Sequence, residues 1–131
     1  MRRSLVTAVV AVLAAVMVLA GCTPRNNLGT ASSECIKAIP AATNDVHHKG
    51  KPEGVRVIMA SRLASRLPRV APLGTQRVCL VAFSGDFQPG DVTSAAVQRA
   101  GHFAVVVVDT KGKVLDAYVL DRLPLRFRHP I

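Results

Sequence analysis

The stretch Arg77-Val78-Cys79-Leu80-Val81-Ala82-Phe83-Ser84 is apolar on both of its alternations. Val78, Leu80 and Ala82 fall on one side of an extended chain, and Cys79, Val81 and Phe83 on the other. A strand with two dry faces belongs in the middle of a sheet or under a helix. Residues 103–108 and 114–120 read as two further strands. Between them stands Asp109-Thr110-Lys111-Gly112-Lys113, a hairpin turn in which Gly112 is free to take positive φ. Strands joined this tightly run antiparallel.

Working outward, residues 85–101 form the longest connection. Gly85-Asp86-Phe87-Gln88-Pro89-Gly90-Asp91 is loop chemistry, and residues 93–100 have room for two helical turns ending at Gly101. Binding would be expected on such a loop, although an ordinary surface excursion explains it as well. Asp86 and Asp91 lack the repeated acidic spacing of a calcium loop. Upstream, Val55-Arg56-Val57-Ile58-Met59 alternates partly as a strand would and could also begin a helix. The preferred reading is a strand followed by a short helix over 62–67. Ser61 would cap it, Leu63, Ala64 and Leu67 would face inward, Arg62, Ser65 and Arg66 outward, and Pro68 would stop it. Those arginines read as a solvated face in preference to a phosphate site. Gly50-Lys51-Pro52-Glu53-Gly54 reads as a turn. Ser32 or Ser33 can cap a helix from Glu34 to about His47, with Cys35, Ile36, Ile39 and Val46 on one side. Pro40 must then begin a second helical piece or kink the first. Beyond Asp121, the basic residues and Pro124 and Pro130 suggest an extended tail or edge strand.

These elements make a single α+β domain over 31–131, an N-terminal helix packed on a three- or four-stranded antiparallel sheet. The Asp-x-x-Gly-Lys-Val turn at 109–114, with this order of elements, resembles small extracytoplasmic modules of the PepSY and cystatin-like kinds. The resemblance implies a helix laid on a curved antiparallel sheet and no particular function.

The N-terminus carries an address. Arg2 and Arg3 precede an apolar run over 5–20, which closes on Leu19-Ala20-Gly21-Cys22. A positive start, an apolar middle and small residues before the end are the parts of an export signal. The last four residues resemble the lipobox of bacterial lipoproteins. That resemblance implies a signal peptide over 1–21, a diacylglyceryl group on the Cys22 sulfur, and cleavage that leaves Cys22 as the lipidated first residue. An uncleaved membrane helix is the competing reading, but about 16 apolar residues fall short of the roughly 20 that a span requires. Two acyl chains suffice for stable attachment. Residues 22–30, with Pro24, Asn26, Asn27 and Gly29, then form a short stalk, and the domain rides on the extracytoplasmic face of a membrane.

With Cys22 given to lipid, Cys35 and Cys79 remain. An exported chain usually pairs such a remainder, and a disulfide is expected here, with buried free thiols or a metal pair as alternatives. The formal net charge of +9 is spread along the chain without a block of consecutive cations. It suits anionic lipid or cell-wall polymer, or simply a solvated basic surface. Nucleic acid is not expected, because there is no Trp, one Tyr and no interleaving of aromatic with basic residues.

Signatures of catalysis are missing. Ser84 lies in Ser-Gly-Asp and not in a Gly-x-Ser-x-Gly elbow, and no Gly-rich phosphate loop or cofactor box appears. Asp109, Asp116 and Asp121 are expected to offset nearby Lys and Arg. His47 and His48 are the candidates for a metal, with His102 and His129 to complete a site. Adjacent helical histidines diverge by about 100° and chelate poorly unless the helix has ended. The expected function is therefore that of a membrane-anchored, non-catalytic lipoprotein binding a protein or cell-envelope partner; the alternative is capture of a metal or small ligand.

Overall fold

Both dry alternations of the 77–84 stretch are used. The computed structural model describes residues 33–123. Within them, β1 (Lys51–Met59), β2 (Arg77–Phe87), β3 (Gly101–Asp109) and β4 (Val114–Leu120) form one antiparallel sheet in the order β1-β2-β3-β4. One face of β2 gives Cys79, Val81 and Phe83 to a cluster with Val55, Val106, Val108, Ala117 and Val119. The other gives Val78, Leu80 and Ala82 to a cluster with Val105, Val107, Leu63, Leu67 and Val70. The four consecutive valines 105–108 are all fully buried, which is how a β-branched run behaves when the strand beneath it has no wet side. β3 and β4 meet through the expected turn, with Asp109 N donating to Lys113 O at 2.9 Å and Gly112 at φ +93°.

The helical region is shorter than the spacing suggested. A 3-10 turn, Ser33–Cys35, leads into the only α-helix among the described residues, α1 (Ala38–Asp45). Pro40 is the third residue of α1, inside the first turn, where its missing N–H has no intrahelical partner to lose. The buried apolar positions are Cys35, Ala38, Ala42 and Val46, all within the cluster of Cys79 and Phe83, whereas Ile36 is 61% exposed. Cys35 and Cys79 form a disulfide across 44 residues with Cα atoms 5.7 Å apart. On the chain-entropy model, closing a loop of that length stabilises the fold by about 4 kcal/mol.

Four other expectations are corrected. Of residues 50–54 only Gly50 turns, at φ +82°, and β1 begins at Lys51 with a bulge between Pro52 and Gly54. A Cβ at Gly50 would stand 2.7 Å from Ser84 O and 2.8 Å from Phe87 Cζ, so the strand pair closes there only on glycine. No α-helix forms over 62–67. Ala60–Arg62 is a 3-10 turn whose N-cap is Met59, and Ser61 N donates to Gly74 O at 2.7 Å in place of a capping role for its side chain. Of the inward residues Leu63 and Leu67 are buried and Ala64 is half-buried, and Arg62, Ser65 and Arg66 are exposed as expected. Residues 93–100 hold no helix either. They contribute one parallel bridge, Ala95 to Ala117, against the far edge of β4. Since β2 runs on to Phe87, the longest connection is 60–76 and not the one after β2.

The signal segment, Cys22, the stalk over 22–30 and His129 lie outside the described residues. Among those described, no helix is long and apolar enough to cross a membrane.

Candidate functional site

Two features that the sequence offered separately, the paired histidines and the loop after β2, come together at the end of α1. His47 N donates to Asn44 O at 3.0 Å and His48 N to Thr43 O at 2.9 Å, the two bonds of a Schellman cap. The residue after the helix must enter the left-handed region for these bonds to close, and glycine usually takes that place. Here His47 has φ 52° and His48 φ 59°. Each non-glycine residue so placed costs roughly 1 kcal/mol or more.

Residues 88–100 fold against this cap. Asp45, 8% exposed, accepts from Ser94 Oγ at 2.5 Å and Ser94 N at 3.4 Å, and its own carbonyl accepts from Thr93 N at 3.0 Å. Thr93 Oγ1 lies 3.0 Å from His47 Nε2, the hydroxyl donating or accepting according to the imidazole tautomer. Lys49 Nζ pairs with Asp91 Oδ2 at 2.5 Å, and Gln88 N donates to the same oxygen at 2.6 Å. The Lys49 ammonium bonded to it, followed by the Gln88 amide, holds the Asp91 carboxyl below its ordinary value of 3.8 against an opposing desolvation. Inside the loop, Gln98 accepts from Gly90 N at 2.7 Å and donates to Val92 O and Ala95 O.

This arrangement holds a loop in place. A threonine hydroxyl on an imidazole is half of a nucleophile and base pair, but the base needs a third group to orient it. The buried carboxylate of the cluster, Asp45, turns to Ser94. His48 is exposed, His102 lies exposed near the start of β3, and among the described residues no three His, Cys, Asp or Glu side chains gather in a group able to hold a metal. The aspartates of the hairpin also differ from expectation. Asp121 does pair with Arg99 at 2.8 Å. Asp109 instead accepts from the Lys111 and Lys113 amides, and Asp116, 1% exposed, accepts from Ala117 N.

A second feature went unread in the sequence, where Arg62 was assigned to a solvated face. Along the end of β1 runs an open groove of about 420 Å³ lined by Val57, Ile58, Met59, Arg62, Thr75 and Arg77. A smaller hollow of about 230 Å³ beside it adds Arg56 and Leu80. Arg77 is distant in the chain from Arg56 and Arg62 and reaches them because β1 pairs with β2, Met59 facing Arg77. Arg77 Nη1 donates to Glu34 Oε1 at 2.9 Å, both side chains remaining about half exposed. No pairwise signal in the sequence joins these arginines. Only the strand register does.

Comparison with protein-family models, with curated proteins and with solved structures finds no match to this chain.

Proposed function

We propose that the protein is a membrane-anchored extracytoplasmic lipoprotein, held by a lipid on Cys22, whose domain binds a protein or cell-envelope partner and catalyses nothing. The observation that carries this reading is the disulfide. Of three cysteines, the two that bond are the pair left over when Cys22 is assigned to lipid. Disulfides of this kind persist in oxidising compartments outside the cytoplasm, where a lipobox would send the chain. The domain also fits attachment to a membrane. α1 rests on the sheet through the small side chains of Ala38 and Ala42, and the 3-10 turn before it is stapled to β2, so the stalk joins the domain at a fixed point. The polar groups nearest to a catalytic set, Asp45, His47 and Thr93, are occupied in fastening a loop, which favours binding over chemistry.

Mass spectrometry of the protein purified from its native host tests the anchor. The expected product starts at Cys22 with a diacylglyceryl thioether, and Cys22→Ser moves the protein out of the membrane fraction. An intact Met1, or an unmodified sulfur at position 22, overturns the reading. Crosslinking in cells followed by pull-down tests the partner. Recovery of a specific envelope component with the wild-type chain is expected, and no enrichment over the Cys22→Ser control counts against binding as the function.

A further inference from the structure

One hydrogen bond fixes which way β1 turns its backbone. Ala60 N donates to Gln76 O at 2.9 Å, continuing the register in which Ile58 faces Val78 and Met59 faces Arg77. Residue 60 is therefore an inward position. By the period of two, Ile58 and Arg56 also turn their N–H and C=O toward β2, and Met59, Val57 and Val55 turn theirs outward. Among the described residues β1 is the terminal strand of the sheet, so these groups present a template for one more strand. The beginning of β1 is blunted against such pairing by exposed Lys51, Pro52 and Glu53 and by the bulge at Pro52 and Gly54. From Val55 to Met59 the strand has neither proline nor bulge.

Charge narrows what can dock. Three arginines stand around this half of the edge, and of the eight carboxylates Glu34 pairs with Arg77. All the others accept hydrogen bonds elsewhere. Arg62 makes no hydrogen bond or ion pair among the described residues, and it is exposed. The flanking segments of the chain offer no acid either. Residues 23–32 and 124–131 contain no Asp or Glu and carry Arg25, Arg126 and Arg128. A second copy, net positive with or without Arg2 and Arg3, would bring like charge to like. Phosphates of lipid or wall polymer could accept from the guanidinium groups but could not donate to the outward carbonyls. An extended peptide does both.

We propose that residues 55–59 take up, as a fifth strand, an extended segment of another protein in which carboxylate and apolar side chains alternate. Arg62 and Arg77 meet its carboxylates, and Val57, Ile58 and Met59 floor the groove for its apolar side chains. This assigns a partner class to the binding function proposed above and rests on that reading.

The full-length chain, purified in detergent micelles, is titrated into a fluorescein-labelled octapeptide of alternating Val and Glu and read by fluorescence polarisation. Saturable binding is expected, weakened at least roughly tenfold when Lys replaces Glu or when alternate peptide nitrogens are methylated. Met59→Pro should weaken it similarly with Tm unchanged. Met59 is 45% exposed, its φ of −74° already suits proline, and only an outward N–H is lost. Arg62→Glu, an exposed charge reversal, should weaken it to the same degree. Equal binding of the methylated peptide, indifference to both variants, or no binding by the folded chain overturns the proposal. So does displacement of the octapeptide by phosphatidylglycerol vesicles whose own binding is untouched by Met59→Pro, which would give the arginines to the membrane. Each of these failures leaves the mass of the Cys22 peptide as it was, so loss of the docking edge and loss of the lipid anchor are separate results.

Discussion

Two long connections leave this sheet, and they are fastened by opposite means. Residues 60–76 cover one face with apolar side chains. Leu63, Leu67 and Val70 are buried against Val78, Leu80 and Val105, and the backbone is stitched by short turns such as Leu67 N to Leu63 O at 2.8 Å. Residues 88–100 bury Val92 and Ala95 but are held to the end of α1 by polar bonds, Asp45 to Ser94, His47 to Thr93 and Lys49 to Asp91. Burial of apolar area does not titrate and is not screened by salt. Exposed ion pairs and charge-assisted hydrogen bonds are sensitive to pH and to salt. One connection is therefore part of the core. The other is a clasp that conditions can open.

Four experiments sharpen or break this contrast. The largest effect is expected from Leu67→Ala, which leaves a cavity under the dry connection and should cost about 3 kcal/mol of global stability. Urea unfolding monitored by circular dichroism would show it, and a loss below about 1 kcal/mol would mean that 60–76 is not a core element. Asp45→Ala removes a buried acceptor and strands the Ser94 hydroxyl. A loss of about 2 kcal/mol is expected, concentrated in faster amide exchange at Thr93 and Ser94. If exchange rises equally across β2 and β3, the clasp is not a separate unit.

His48→Gly relaxes a left-handed residue at the helix end that the loop docks on, and should raise stability by about 1 kcal/mol with a matching rise in Tm. A fall would show that the imidazole itself contributes. The smallest effect is acid. Asp91 has its folded pKa depressed below 3.8, so its contribution is present above that value and is lost as pH falls through the folded value. Limited proteolysis should cut within 88–100 sooner as pH drops below 3.8, with 60–76 remaining resistant. Simultaneous cutting of both connections would erase the distinction.

The strands were legible because their physics is local. Alternation over 77–84, the apolar run over 103–108 and the turn glycine Gly112 all lie within a few residues and were found where expected, although β1 starts at Lys51, inside the expected turn, and β2 runs on to Phe87. Burial was also legible where secondary structure was not. Leu63 and Leu67 were rightly placed inward although no helix forms, because the turns that replace it, closed by Leu63 N to Ala60 O and Leu67 N to Leu63 O, leave both side chains on the sheet. Residues 93–100 are likewise fastened by bonds outside a helical ladder: Ser94 Oγ goes to Asp45, 49 residues away, Ala95 bridges to Ala117 on β4, and Gln98 takes Val92 O and Ala95 O with its side chain. Tertiary context overrode helix-compatible residues in both segments.

The candidate sites divide in the same way. His47 and His48 stood out by type, yet the Schellman cap and the meeting with Thr93 exist only once the loop after β2 has returned to α1. Arg62 could not be singled out, since its place depends on β1 being an edge and on Met59 facing Arg77.

From its residues alone this chain specifies strands with two dry sides, a β3–β4 hairpin, an inward and outward set for each segment, and two cysteines free to pair in an α+β domain. Those properties follow from side-chain volume, branching and backbone freedom, which act over a few bonds. Tertiary structure decided which strand would be left at the edge, which polar groups would find partners across the fold and which would keep none. Pairing across tens of residues is settled by competition among all the donors and acceptors at once, and a linear reading sees only those next in line.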